Sequence, residues 1–156
     1  MVRLNDLHEH ERNKMLKAAS GLPQIEPAPW LNPPPLAEST VAIITTSGIH
    51  RRQDPPFRPG LGEYRIIPAD VDPAELTMSH ISVNFDRTAF QQDPNVWFPL
   101  DRLREMEADG EIGGVSRWHY AFMGGIPTPM LMEQTGREVA QFLRDDGVDV
   151  VLLIPV

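Results

Sequence analysis

A near-continuous apolar run at the end of the sequence constrains the fold more than any other feature. Residues Val148–Val156 follow a helical pattern that ends at Gly147. A strand of this composition is typical of a parallel sheet covered by helices on both faces. In such sheets, ligands bind just beyond the carboxyl ends of the strands. The sequence therefore predicts that functional side chains follow the strands of an α/β sheet.

Strand and helix patterns alternate along the rest of the chain, with short links between them. β-branched or alternating apolar segments predict strands at Val41–Thr46, Tyr64–Pro68, His80–Phe85 and Trp118–Met123. Helical spacing of apolar residues predicts helices at Asn5–Ser20, Phe98–Met106 and Met132–Asp145. This order predicts a layered α/β fold with a mainly parallel sheet and flanking helices, Rossmann-like or flavodoxin-like. The sheet could be incomplete at the C-terminus.

The proline-rich segment Leu22–Leu36 divides the chain into two predicted parts. Repeated prolines fix the backbone and remove donors, so this segment is predicted to be an extended strap. Residues 1–36 form an N-terminal helix, closed by Gly21, and the strap. Residues 37–156 form the α/β domain.

Composition argues against several classes of function. The net charge of −8 argues against nucleic-acid binding, which needs clustered Lys and Arg. The sequence lacks an apolar stretch long enough for a membrane helix and an N-terminal signal pattern, so we predict a cytoplasmic protein without a membrane partner. Its cysteine count is zero, which excludes disulfides and thiol nucleophiles within these residues.

Polar side chains gather near the ends of the predicted strands. Thr46, Ser47 and His50 lie at the end of the first strand, and Asp86 and Arg87 follow the strand that His80 begins. His50 is predicted to lie on a loop just past a strand, where an imidazole suits general acid–base chemistry. His119 lies inside an apolar segment, so a buried core histidine is the simpler interpretation. The residues alone leave all of these roles open.

The sequence contains no recognisable motif for a cofactor or a metal. His50, His80, His119 and Asp86 could together hold a metal, but no two have the close spacing of a motif such as H-E-x-x-H. No dinucleotide fingerprint, phosphate-binding loop or nucleophile elbow occurs. We therefore predict no metal and no cofactor.

Several segments together resemble the selenoprotein B family of glycine, sarcosine, betaine and D-proline reductases. The resemblance runs from about Val41 to Val156, and it is carried by Val41–His50, Ser79–Arg87, Asn95–Glu105, Gly110–Gly113 and His119–Gly124. It implies an oxidoreductase that reductively cleaves a carbon–nitrogen bond of a small amine, with a disulfide as electron acceptor. It also implies thioredoxin-like or other reductase subunits as partners.

The resemblance implies roles for the polar side chains. A selenolate or thiolate attacks the carbon, the amine leaves, and a second thiol resolves the adduct. His50, Asp86 and His119 are expected to assist catalysis, and Thr46, Ser47, His80 and Arg87 to bind substrate. In relatives, the reactive selenocysteine or cysteine follows a terminal strand that Asp149–Val156 matches. The expectation is that the reading frame has been cut at a selenocysteine codon after Val156.

Alternatives to this expectation stay open. The chain could be a short paralogue, a non-catalytic binding or scaffold subunit with a degenerate site, or an unrelated hydrolase or lyase that uses His and Asp. Without a sulfur or selenium nucleophile, we do not expect these residues to catalyse alone, and the sequence leaves open whether the chain is an enzyme. An uncovered sheet edge at the last strand would favour pairing with a second copy.

Overall fold

The computed structural model describes residues 3–23, 28–29, 31–81, 87–126 and 128–156. Two compact units divide the chain, Met1–Leu31 and Asn32–Val156. The first unit contains helix α1, Glu9–Ser20, which ends where the sequence predicts. Gly21 has a φ of −91°, so the helix end does not use the left-handed conformation expected of a closing glycine.

The second unit contains seven strands and three helices among the described residues. The strands are β1 (Thr40–Thr45), β2 (Ile49–Arg51), β3 (Tyr64–Pro68), β4 (Leu76–Met78), β5 (Gly114–Val115), β6 (Trp118–Phe122) and β7 (Val150–Ile154). The helices are α2 (Thr88–Gln92), α3 (Leu100–Ala108) and α4 (Glu133–Asp145). One of several 3₁₀ turns, Pro73–Glu75, is capped by Asp72, whose side chain accepts a hydrogen bond from the Ala74 amide.

Strand β1 is the centre of a mixed sheet. It pairs in parallel with β5, β6 and β7, while β3 runs antiparallel to β6. Strands β2 and β4 form a separate antiparallel pair. The α/β prediction is confirmed at the level of a mixed sheet with several helices. A mainly parallel, Rossmann-like or flavodoxin-like arrangement is not confirmed and stays a prediction.

Two predicted segments differ from the structure. The segment after Ser47 was predicted as a turn and loop, but Ile49–Arg51 forms β2 because it pairs with Leu76–Met78. The predicted strand His80–Phe85 lies mostly outside the described residues, and His80 and Ile81 are not in a strand. Short strands such as β2 and β4 are fixed by pairing rather than by local periodicity.

The apolar core lies on both faces of the sheet. One cluster includes Ile43, Ile67 and Phe98, and the other includes Tyr120 and Val139 beneath α4. The prediction that the last strand is buried on both faces is wrong, because Leu153 is 67% exposed. Strand β7 pairs only with β1 among the described residues, so its other edge has no neighbouring strand there.

Two glycines, one within α4 and one just after it, allow a matched test of the backbone conformation. Gly136 lies within the helix with open space around it, whereas Gly147 follows the helix with a φ of +69°. We expect Gly136→Ala to raise the free energy of unfolding by about 1 kcal/mol, because alanine is the better helix former. Gly147→Ala should lower it by about 1 kcal/mol, because a Cβ strains the left-handed conformation. Urea unfolding of both variants checks the opposite signs, and equal shifts would contradict the assigned conformations.

Candidate functional site

The carboxyl ends of β1, β6 and β7 meet around Thr46 and Gly124. The Thr46 amide donates to the Ile154 carbonyl at 3.1 Å, and the Gly124 amide donates to the Thr46 carbonyl at 2.7 Å. The Val156 amide donates to Thr46 Oγ1 at 2.8 Å. Thr46 therefore joins the three strand ends by hydrogen bonds. The sequence predicted this residue at the end of the first strand.

His80 lies against this junction. A Cβ built on Gly124 would lie 3.0 Å from His80 Nε2 and 2.6 Å from the Val156 carbonyl oxygen. Gly48, with a φ of +70°, also approaches His80 closely, since its Cβ would lie 3.1 Å from the His80 amide nitrogen. The two glycines thus let the backbone pack directly against this histidine.

The surroundings of His80 favour the neutral form of its imidazole. Burial lowers the pKa of its imidazole, and the positive charge of Arg87 lowers it further. A hydrogen bond with the Val156 backbone raises the pKa and offsets part of this shift. The Arg87 guanidinium also donates to the His80 carbonyl. Arg87 and His80, both predicted as substrate-binding residues, therefore lie together.

Ser47 is held inside the protein. Its hydroxyl accepts a hydrogen bond from Thr45 Oγ1 at 3.0 Å, and its amide donates to the same Thr45 oxygen at 3.2 Å. Both side chains are fully buried. Ser47 thus lies at the strand end where it was predicted, but its hydroxyl is already occupied by a neighbouring side chain.

His50 lies on strand β2 and is buried, which corrects the prediction that it sits on a loop. Its Nδ1 donates to the Arg51 carbonyl at 2.8 Å, and its Nε2 accepts from Ser79 Oγ at 2.6 Å. The ring also packs edge-on against Phe57. Both nitrogens are therefore engaged, and the contact with Ser79 joins His50 to the residue that precedes His80.

His119 lies in the core rather than at the strand ends. Its Nδ1 accepts a hydrogen bond from the Ile43 amide at 3.0 Å, and its ring packs edge-on against Phe98. Nε2 is buried and has no hydrogen-bond partner among the described residues. Burial lowers the pKa of His119 to about 4, with a smaller contribution from Arg104. The third predicted catalytic group, Asp86, lies outside the described residues.

A polar cavity of about 430 Å³ extends from Arg87 along β4 and α2. Its polar lining comes from Arg52, Thr77, Arg87 and Gln91. The Arg52 Nε donates to the Ala74 carbonyl at 3.0 Å. Two guanidinium groups in one cavity suit a carboxylate. The sequence interpretation missed Arg52, because adjacent arginines in a polar, proline-rich stretch are typical of a solvated loop.

The part of the chain that the structure describes contains neither a metal-binding cluster nor a membrane-spanning helix. No group of three His, Asp or Glu side chains there is arranged to hold a metal ion. Within the same ranges, no helix is both long and apolar enough to cross a bilayer.

Comparison with known proteins identifies the family. The sequence model described as glycine/sarcosine/betaine reductase selenoprotein B matches residues 9–155. The chain is 33% identical over 133 residues to the D-proline reductase subunit gamma of Acetoanaerobium sticklandii, covering 79% of this chain and 54% of that protein. It is 32% identical over 122 residues to the betaine reductase complex component B subunit beta of Peptoclostridium acidaminophilum, covering 76% of this chain and 28% of that protein.

A third relative has a similar identity to this chain, and it too is longer than this chain. The glycine reductase complex component B subunit gamma of Carboxydothermus hydrogenoformans is 30% identical over 123 residues, covering 76% of this chain and 28% of that protein. The chain thus spans about half or less of the length of these relatives. No solved structure matches. The chain belongs to the glycine/sarcosine/betaine reductase selenoprotein B family, as the resemblance predicted.

Proposed function

We propose that this chain supplies the substrate-binding part of a selenol- or thiol-dependent reductase complex that cleaves a carbon–nitrogen bond of a small amine. The observation that carries the proposal is the position of Arg87 within the matched residues. Its guanidinium donates to the His80 carbonyl and also lines the polar cavity. A cationic pocket is thereby connected to a buried histidine at the ends of three strands.

The cavity favours a substrate with a carboxylate. The relatives are named for D-proline, betaine and glycine, each of which carries a carboxylate on the carbon that bears the nitrogen. In the proposal, Arg87 and Arg52 bind that carboxylate through charge-assisted hydrogen bonds. His80 and Thr46 face the amine, and the neutral His80 imidazole accepts a hydrogen bond from the amine where it carries an N–H.

The remaining predicted residues act less directly in this proposal. His50 positions Ser79 next to His80, and Ser47 fixes the turn after β1 through Thr45. His119 acts by holding β6 against β1, because its Nδ1 accepts a hydrogen bond from the Ile43 amide. Asp86 keeps its predicted role as an assisting group, which rests on the family resemblance alone.

The nucleophile must come from outside these 156 residues, which contain no cysteine. A selenolate attacks the carbon that bears the nitrogen, a carbon–selenium bond forms, and the carbon–nitrogen electron pair leaves with the amine. A thiolate then attacks selenium, a selenium–sulfur bond forms, and the released carbon takes a proton. The selenol–thiol pair is oxidised as the carbon is reduced, and a dithiol or thioredoxin-like partner restores it. A thiolate in place of the selenolate would follow the same sequence.

Substitution of Arg87 tests the proposed carboxylate contact. In the reductase complex that contains this chain, Arg87→Gln should raise KM about 10- to 100-fold, because a charge-assisted hydrogen bond contributes roughly 1.5–3 kcal/mol. Arg87→Lys should restore part of the loss, since it keeps the charge without the planar fork. The matched control is Arg137→Gln, which removes an exposed arginine paired with Glu133 on α4. An unchanged KM in Arg87→Gln would remove this residue from the site.

The absence of cysteine also favours a second candidate, a non-catalytic binding subunit. Isolating the chain with its native partners distinguishes the two. A complex that releases amine from glycine, sarcosine, betaine or D-proline in the presence of a dithiol supports the reductase. A complex that binds these compounds without releasing amine supports the binding subunit. An in-frame UGA codon followed by cysteine codons in the downstream DNA would identify the source of the nucleophile.

A further inference from the structure

A second cavity, also of about 430 Å³, lies on the face of the sheet that α4 covers. Its lining includes Ile66, Trp118, Tyr120, Phe142, Asp145 and Asp146. None of these residues lines the polar cavity that contains Arg87. Tyr120 belongs to the core cluster beneath α4, whereas its neighbour His119 packs against Phe98 in the other cluster. The cavity is therefore separate from the proposed substrate site.

Aromatic rings form the wall of this cavity. The rings of Tyr120 and Phe142 are nearly parallel, at 9° with centroids 6.4 Å apart. Phe142, on α4, is 40% exposed. A half-exposed phenylalanine stacked on a buried tyrosine leaves an aromatic surface open to a ligand.

Tyr120 supplies a polar group to the cavity. The residue as a whole is only 2% exposed, but its hydroxyl oxygen is not fully enclosed, so a molecule in the cavity can reach it. Burial raises the pKa of Tyr120 to about 12, and the charge of Asp146 contributes to that rise. The phenol therefore stays protonated and can donate to, or accept from, a ligand in the cavity.

The carboxylates at the rim carry uncompensated negative charge. Neither Asp145 nor Asp146 forms an ion pair within the described ranges, and Asp145 accepts one hydrogen bond from Gln141. Arg51, which also lines the cavity, is paired with Asp54 at 2.9 Å. The open aromatic faces thus adjoin two unpaired carboxylates, while the lining arginine already has its counter-ion.

The chain itself places a cation on an aromatic ring of this wall. The guanidinium carbon of Arg117 lies 5.0 Å from the centroid of the Trp118 ring. Aromatic faces attract cations through their quadrupole, and desolvation strengthens the attraction. Ammonium groups with apolar substituents match such a surface, because the substituents contact the rings while the charge faces the carboxylates.

From these contacts we propose that the cavity beneath α4 binds a small organic cation, an ammonium with apolar substituents. Trp118, Tyr120 and Phe142 contact the substituents, and Asp145 and Asp146 compensate the charge. The Tyr120 hydroxyl hydrogen-bonds a polar group of the same ligand. No covalent step is involved, and the site does not depend on the proposed reductase function.

Choline and its uncharged isostere 3,3-dimethyl-1-butanol test the proposal, because they share shape and hydroxyl and differ in charge. We expect choline to shift the indole N–H signal of Trp118 in a ¹⁵N NMR titration of the whole chain. It should bind at least about 5-fold more tightly than the neutral alcohol, since a cation–π contact contributes roughly 1 kcal/mol or more. Equal affinities, or no response of Trp118 to choline, would overturn the assignment.

Two cavity variants and one control test the contributions of the carboxylate and of the aromatic ring. Asp146→Asn should weaken choline binding about 5-fold, because it removes a carboxylate next to the aromatic wall. Asp109→Asn, which removes the carboxylate at the end of α3, is the matched control and should bind choline as the unaltered chain does. Phe142→Leu removes a half-exposed ring and should also weaken binding, with the spectrum confirming that the variant is folded. Unchanged affinity in both cavity variants would contradict the proposed site.

Discussion

Acidification is expected to destabilise this protein through His119. Burial lowers the pKa of His119 to about 4, whereas an unfolded chain has a histidine pKa of about 6.5. Between these values the unfolded state binds more protons than the folded state, so the free energy of unfolding rises with pH. The stabilisation is complete above about pH 6.5 and is lost as the pH falls toward about 4. The expected loss is about 3 kcal/mol, at roughly 1.4 kcal/mol per pH unit.

The physical cause is an imidazole enclosed by apolar side chains. Its Nδ1 already accepts the Ile43 amide hydrogen, so protonation at that nitrogen would break a contact between β1 and β6. A charged ring beside Phe98 would also lack solvent. His80, whose pKa is lowered as well, contributes a further part of the slope in the same direction.

Substitution of His119 separates these contributions. His119→Asn keeps a side-chain acceptor for the Ile43 amide and cannot titrate, so the slope between pH 6.5 and 4 should fall to the part that His80 supplies. His119→Leu removes the acceptor and should cost about 1–3 kcal/mol at neutral pH, because a buried amide loses its partner. Urea unfolding across the pH range measures both. His10→Asn on exposed α1 is the control, and an unchanged slope in His119→Asn would contradict the assignment.

Gly124→Ala is expected to disrupt the junction of the three strand ends. The new Cβ would lie 2.6 Å from the Val156 carbonyl oxygen and 3.2 Å from the Thr46 carbonyl oxygen. Both atoms belong to the backbone, so a rotamer change cannot relieve the contact. The His80 ring, 3.0 Å from the same point, must also move. We expect a loss of about 1–3 kcal/mol in the free energy of unfolding, as overpacking typically costs.

Gly124→Ala is also expected to lower the activity of the native complex. A displacement near 1 Å at a catalytic site can cost about 100-fold in rate, and here the substitution moves His80 itself. The matched control is Gly114→Ala on β5, where the Cβ would meet its nearest neighbour at an ordinary 3.5 Å. Amine release by the native complex and urea unfolding measure the two effects. Full activity and stability in Gly124→Ala would contradict the geometry of the junction.

Local sequence patterns predicted the longer elements well. Strand β3 was predicted at its observed bounds, and α4 within one residue, because β-branched alternation and helical spacing are local signals. Strands β2 and β4 were missed, because three-residue strands exist only through their mutual pairing. Leu153 was predicted to be buried, but burial depends on which elements cover a strand, and an apolar run alone does not specify them.

The candidate site was predicted only in part for the same reason. Thr46 was predicted at the end of β1 and is there, because a strand and its turn are local features. His50 was assigned to a loop, but its pairing with Thr77 carries it into a buried strand. Arg52 was missed, since nothing near it in the sequence indicates that β4 and α2 enclose it in a cavity.

Binding of the four compounds for which the family and its relatives are named is the decisive experiment on the proposed substrate site. Glycine, sarcosine, betaine and D-proline are titrated into the ¹⁵N-labelled chain, and the amide signals of Thr46, Gly48, His80 and Gly124 are followed. We expect at least one compound to shift these signals, and Arg87→Gln to weaken the response about 10-fold or more. Shifts confined to other residues, or none with any of the four compounds, would contradict the claim that this chain holds the substrate.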